Sequence, residues 1–156
     1  MTHMAKEAVF NSAHPMFSAI DFLNLSYQHI NELFIGFEHL SLSDEKKKRS
    51  TMICEALLAC VRAEEVIFFP EVKKFLKEKG LLSAIIMEHS IVKYLVAEIE
   101  NLDADSVIYD IKIKVLNEKV KQVTREKQNK LFPKIISCAK VDLWRLGADL
   151  SVKFHE

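Results

Sequence analysis

An all-α chain, folded as an up-down-up-down bundle of four helices with a short C-terminal helix, is what three observations on this sequence predict. Breakers are few, with three glycines and three prolines in 156 residues. The stretches between them repeat apolar residues at helical spacing. The breakers themselves fall with polar turn residues at the ends of those stretches. A first helix is expected from about Pro15 to Leu40, with the proline in its first turn. In "SLSDE", Ser43 or Asp44 offers the N-cap of a second helix that ends near Pro70. Gly80, in "KEKGLL", is expected to take the left-handed conformation ahead of a third helix from about Leu81 to Leu102. "DADS" caps a fourth, from about Val107 to Phe132, and a shorter helical piece follows Pro133. Helices of roughly 20 to 26 residues are about 30 to 40 Å long, and short loops make neighbours antiparallel. Residues 1–13 are read as an N-terminal arm and 14–156 as the bundle.

Composition narrows the function classes. Hydrophobic residues make up 49% and charged residues 28%, which suits one domain with a real core. Twenty-two basic side chains balance twenty-two acidic ones, so no excess positive field exists to hold a nucleic acid. No apolar run is read as long enough to span a bilayer, and "MTHMAKEAVFNSAHP" lacks a secretory pattern. A cytoplasmic location is therefore expected, without nucleic acid or membrane; a protein partner fits, though its identity and the oligomeric state are not legible. Cys54, Cys60 and Cys138 are an odd set without paired spacing, so reduced thiols are expected. No nucleophile-base pair, phosphate loop or dinucleotide fingerprint occurs, so no catalytic residues are assigned and no enzyme is expected.

The apolar seams point to the interior. In the second helix Ile53, Leu57, Cys60, Glu64 and Ile67 recur at core spacing, and Glu64 is the polar intruder. The third reads Leu82, Ile85, His89, Val92, Val96 and Ile99, interrupted by His89. In the fourth, Ile113, Leu116, Val120, Val123, Lys127 and Leu131 or Lys130 make the seam, and Lys127 intrudes. Helix one is less decisive. His29 shares a face with Phe22, Ser26 and Leu33, but Ile20, Leu23, Tyr27, Ile30, Phe34 and Phe37 form a stronger rival stripe. The halves of the chain echo one another, since "CVRAEEVIFFP" and "VTREKQNKLFP" share one frame before Pro70 and Pro133. One polar intruder per helix at a common level is how a bundle builds a central metal site.

With these residues the chain resembles the hemerythrin-like HHE cation-binding domains over roughly residues 14–150. The likeness rests on "YQHINELF", "EEVIFFPEVKK", "MEHSIVKYLVAEIENLD", "IYDIKIKVLNEKVKQV", "KLFPKI" and "VDLWRLGADL". It implies a four-helix bundle with a non-haem diiron site, in proteins that bind oxygen or sense oxygen, iron or redox state. The family's ligand pattern, carried over, falls on His29, Cys60, Glu64, His89, Val123 and Lys127. His29, Glu64 and His89 match; Cys60 replaces an imidazole with a thiol, Val123 offers no donor, and Lys127 brings a positive charge to a bridging-carboxylate position. The expectation is a degraded site without a stable diiron centre or resident cofactor, in a non-enzymatic interaction or sensor-like module. Lys127 is expected to pair with Glu64 or reach solvent.

The competing expectation keeps a metal. His29, Cys60, Glu64 and His89 can make a mononuclear zinc or iron site, or part of a diiron one, in an oxygen-, iron- or redox-responsive protein. A slipped fourth helix that turns Glu126 or Glu118 inward would sacrifice Leu116, Val120 and Val123. The plain alternative is that His89 and Cys60 are core residues. Cys54 and Cys138 are read as inert, and His3, His14, His39 and His155 have no ligand spacing. The run "EKKKRS" is read as a solvated face, and Trp144 with Phe154 as packing for the terminal helix.

Overall fold

The computed structural model describes residues 17–155, and those residues are all-α, without strands. Ser18 opens α1 (Ala19–Glu38) by accepting from the Asp21 backbone N–H. The expected start at Pro15 and the arm at 1–13 lie outside the described residues. Next comes α2 (Ser43–Ala63), whose N-cap residue is Leu42 and makes no side-chain cap. Neither Ser43 nor Asp44 caps it, because the Ser43 hydroxyl is drawn instead to the Asp105 carboxylate in the turn before α5 (Val107–Glu126). Ser106 caps α5 as the sequence indicates, its hydroxyl accepting from the Ile108 N–H at 3.2 Å.

The helices expected to end at Pro70 and Phe132 run on. A π turn over Glu64–Phe68 leads from α2 into α3 (Phe69–Lys73), and another over Lys127–Leu131 leads from α5 into α6 (Phe132–Ile136). A proline has no N–H, and its ring crowds the carbonyl four residues back. Widening the turn accommodates both, and the Phe69 and Phe132 N–H groups reach back to the carbonyls of Glu64 and Lys127. The extra residue also rotates the seam. Past Glu64 the core passes to Phe68 and Phe69 while Ile67 moves to the edge, and past Lys127 it passes to Leu131 while Lys130 is exposed.

The remaining helices are α4 (Lys79–Glu100) and α7 (Leu143–Phe154). Gly80 lies inside the first turn of α4 and no described glycine has a positive φ, so the expected left-handed closure there is corrected. At 22 residues with mean hydropathy 1.4, α4 is also long and apolar enough to cross a membrane, contrary to the expectation that no segment reaches that length. Here its apolarity serves a core stripe of Leu82, Ile85, Val92, Val96 and Ile99, all buried.

α1 packs along α2 and α7, α4 pairs with α5, and α1 meets α5 less closely. Because α7 covers the second stripe of α1, both stripes of that helix are buried: Phe22, Ser26 and Leu33 as well as Leu23, Tyr27, Ile30 and Phe34. Phe154 meets Phe22 edge-on at 5.8 Å, whereas Trp144 is 57% exposed and does not hold α7 down. Leu146, Gly147 and Leu150 do so. A Cβ on Gly147 would overlap the Phe17 carbonyl oxygen and lie 2.9 Å from the Ser18 carbonyl carbon. Gly147→Ala is therefore expected to lower stability by about 1 to 3 kcal/mol, the usual cost of overpacking, read from urea unfolding. An unchanged midpoint would mean that α7 shifts freely on α1.

Candidate functional site

Four helices bring their polar side chains to one small cavity of about 30 Å³, among Tyr27, Cys60, Glu64, His89, Val123 and Lys127. Glu64 is its centre. The Lys127 Nζ lies 2.8 Å from Glu64 Oε2 and donates to Oε1 at 3.0 Å, with Glu64 0% and Lys127 4% exposed. The Tyr27 hydroxyl donates to Oε2 at 3.0 Å, and the Cys60 thiol donates to Oε1 at 3.3 Å from one turn back on α2. The Lys127 ammonium also stands 5.0 Å over the Tyr27 ring. Glu64 and Lys127 are the residues at which the two π turns begin. The repeated frame before each proline thus sets a carboxylate and an ammonium on equivalent turns of facing rods.

Removing two ions from water costs several kcal/mol each, so the pair is held by mutual attraction and added hydrogen bonds. Burial pushes the Glu64 carboxyl up, but Lys127, with help from His89 and the Cys60 hydrogen bond, outweighs it and holds the group below its ordinary value. Burial and then the Glu64 charge push the Cys60 thiol well up, against the opposing pull of Lys127. The same two causes, with Cys60 added, push the Tyr27 hydroxyl up. Both therefore stay protonated and act as donors.

His89 completes the wall. It is 1% exposed, lies tilted against the Phe69 ring at 5.4 Å, and neither ring nitrogen makes a hydrogen bond. Its Nδ1 comes within 3.4 Å of Glu65 Oε1 without completing one, and Glu65 instead holds Lys93 at 2.6 Å. Burial, then Lys127, lowers the His89 pKa from 6.5 to about 4, against the pull of Glu64 and Glu65. The imidazole is neutral at pH 7.

Of the residues the resemblance singles out, Cys60, Glu64, His89, Val123 and Lys127 line this cavity and His29 does not. Tyr27 takes the place expected for His29. Two residues along a helix turn the side chain about 200°, so with Tyr27 pointing at Glu64, His29 lies on the far side of α1, where it is half-buried. The rival stripe of helix one carried that signal in the sequence. Among the described residues, no group of three or more His, Cys, Asp or Glu side chains converges as a metal site. The donors do not fit the bridged cation pair that the resemblance implies: an ammonium sits against the buried Glu64 carboxylate, Val123 offers nothing, and a phenol stands where an imidazole is expected.

The site thus defines an all-helical protein with a buried carboxylate-ammonium centre. No family model, no curated protein and no solved structure matches the chain.

Proposed function

We propose that the four long rods form an up-down-up-down, hemerythrin-like bundle in which the Glu64–Lys127 pair stands where that family holds bridged cations. On this reading the protein is not an enzyme and has no resident metal; it works as a sensor-like or interaction module. The observation that carries it is the Lys127 ammonium 2.8 Å from a fully buried Glu64. A lysine cannot ligate while protonated, and its charge repels a cation from the carboxylate that would bridge it. A cytoplasmic setting and a protein partner are part of the proposal.

One observation favours a second reading, a mononuclear zinc or iron site. The His89 nitrogens are buried without partners, and the Cys60 sulfur lies beside the same carboxylate. The raised Cys60 pKa works against it, as it does against a reactive thiolate.

Anaerobic incubation with Fe(II), and separately with Zn(II), followed by gel filtration and elemental analysis decides between them. The expected result is far less than one ion per chain, the same for Glu64→Ala. One ion per chain that Glu64→Ala abolishes would establish the mononuclear reading, and two per chain a diiron centre; either outcome ends the proposal.

A further inference from the structure

Because α1 and α5 meet loosely, a cleft runs along them in two lobes of about 510 and 400 Å³. They share Phe34, Asn117 and Lys121, so they are parts of one groove. The larger lobe has the size and make-up of a small-molecule site. Its floor is apolar, from Tyr27, Ile30, Phe34 and Val120, and its α1 wall carries Asn24, Gln28 and Asn31, one turn apart each. A hydrogen bond of 2.9 Å from Gln128 to Asn24 closes one end.

Two features say what would occupy it. Asn117 is only 8% exposed, lines both lobes, and its side chain makes no hydrogen bond among the described residues. The Asn117 amide nitrogen and oxygen still meet solvent through the groove, so a bound ligand has to replace the water they hold. One turn and two turns further along the same face of α5 stand Lys121 and Arg125, and no carboxylate lines this lobe. Its charge therefore complements an anion.

We propose that the groove binds a small carboxylate with an amide next to an apolar body, in chemical class an N-acylated amino acid. The acyl or aryl body lies on Tyr27, Ile30, Phe34 and Val120, the ligand amide meets Asn117, and the carboxylate meets Lys121 and Arg125. Tyr27 links this groove to the buried centre, since its ring lines the groove and its hydroxyl holds Glu64. Occupancy of the groove thereby bears on the ion pair, which is how a module of this kind would report a ligand. That coupling rests on the sensor-like reading above; the binding does not.

The test is fluorescence titration of the full chain with N-(2-naphthoyl)glycine and with its neutral amide, N-(2-naphthoyl)glycinamide. The carboxylate probe is expected to bind at least tenfold more tightly than the amide. Lys121→Glu/Arg125→Glu should erase that preference, while Lys130→Glu/Lys140→Glu, the same charge change outside the groove, should leave it. Asn117→Leu should weaken both probes about tenfold. Equal binding of the two probes by the wild-type protein overturns the proposal with no variant needed, as does a preference that survives the Lys121/Arg125 reversal. Protein that takes up metal yet still prefers the carboxylate would defeat the metal-free reading and leave the groove standing. Metal-free protein without the preference would defeat the groove alone.

Discussion

Replacing Lys127 with methionine is expected to destabilise the protein by about 3 to 5 kcal/mol, because it leaves the buried Glu64 carboxylate without its counter-ion and with only the neutral Tyr27 and Cys60 donors. At about 2 to 4 °C per kcal/mol for a chain of this size, the midpoint of thermal unfolding falls by on the order of 10 °C. The nearly isosteric side chain keeps the volume, so the loss reports charge and not a cavity. Glu64→Gln alone should also cost, since it leaves the ammonium without its counter-ion while keeping an acceptor for Tyr27. In the double variant Glu64→Gln/Lys127→Met both charges are gone, and most of the loss should return. The signature is thus a large coupling in a double-mutant cycle. Wild-type stability in Lys127→Met would mean that the two charges are not buried partners.

The second large effect is a pH dependence carried by His89. The group is neutral in the folded protein down to about pH 4 and titrates near 6.5 when unfolded. Between those values the unfolded chain binds a proton that the folded chain does not, so stability falls as pH drops from 6.5 toward 4. At about 1.4 kcal/mol per pH unit, the whole window is worth about 3 kcal/mol, and the part between pH 7 and pH 5 about 2 kcal/mol. The groups facing the ring are Lys127 and Glu64 across the cavity and Glu65 beside Nδ1. Glu64 has the opposite origin but the same direction. Its folded value lies below the ordinary 4.5, so its contribution is present above that value and is lost only as pH falls beneath it. The two windows separate above pH 5. Urea unfolding of wild type and His89→Leu at pH 7 and pH 5 should show the slope in the first and not in the second. A slope that persists in His89→Leu would place the titration elsewhere.

The buried pair also sets the protonation of its neighbours. Cys60 sits in hydrogen-bond contact with a carboxylate that disfavours its thiolate, and Tyr27 is kept as a phenol for the same reason. Each neighbour is thereby kept protonated and donates to Glu64. Tyr27, which holds Glu64, and Thr124 both line this centre and the α1–α5 groove.

Much of this was legible in local pattern. The helical spacing of apolar residues marks Glu64, His89 and Lys127 as intruders on core stripes, and all three are buried. That spacing is a property of one helix at a time, so it survives without knowledge of the neighbours. Charge balance and helix content are local or additive in the same way, and so is the Ser106 cap.

Other features required the helices to be placed against each other. Two stripes of α1 compete in sequence, and both become buried only because α7 lies on the second; Tyr27 rather than His29 then faces Glu64. The prolines read as helix ends, yet the rods continue because packing on both sides favours a widened turn over a break. That widening shifts each stripe by one residue, which no fixed period anticipates. Whether Lys127 pairs with Glu64 or runs to solvent, and whether α1 and α5 leave room between them, depend on distances across the core. Those are set by the summed volumes of side chains from several helices, and so belong to the tertiary structure alone.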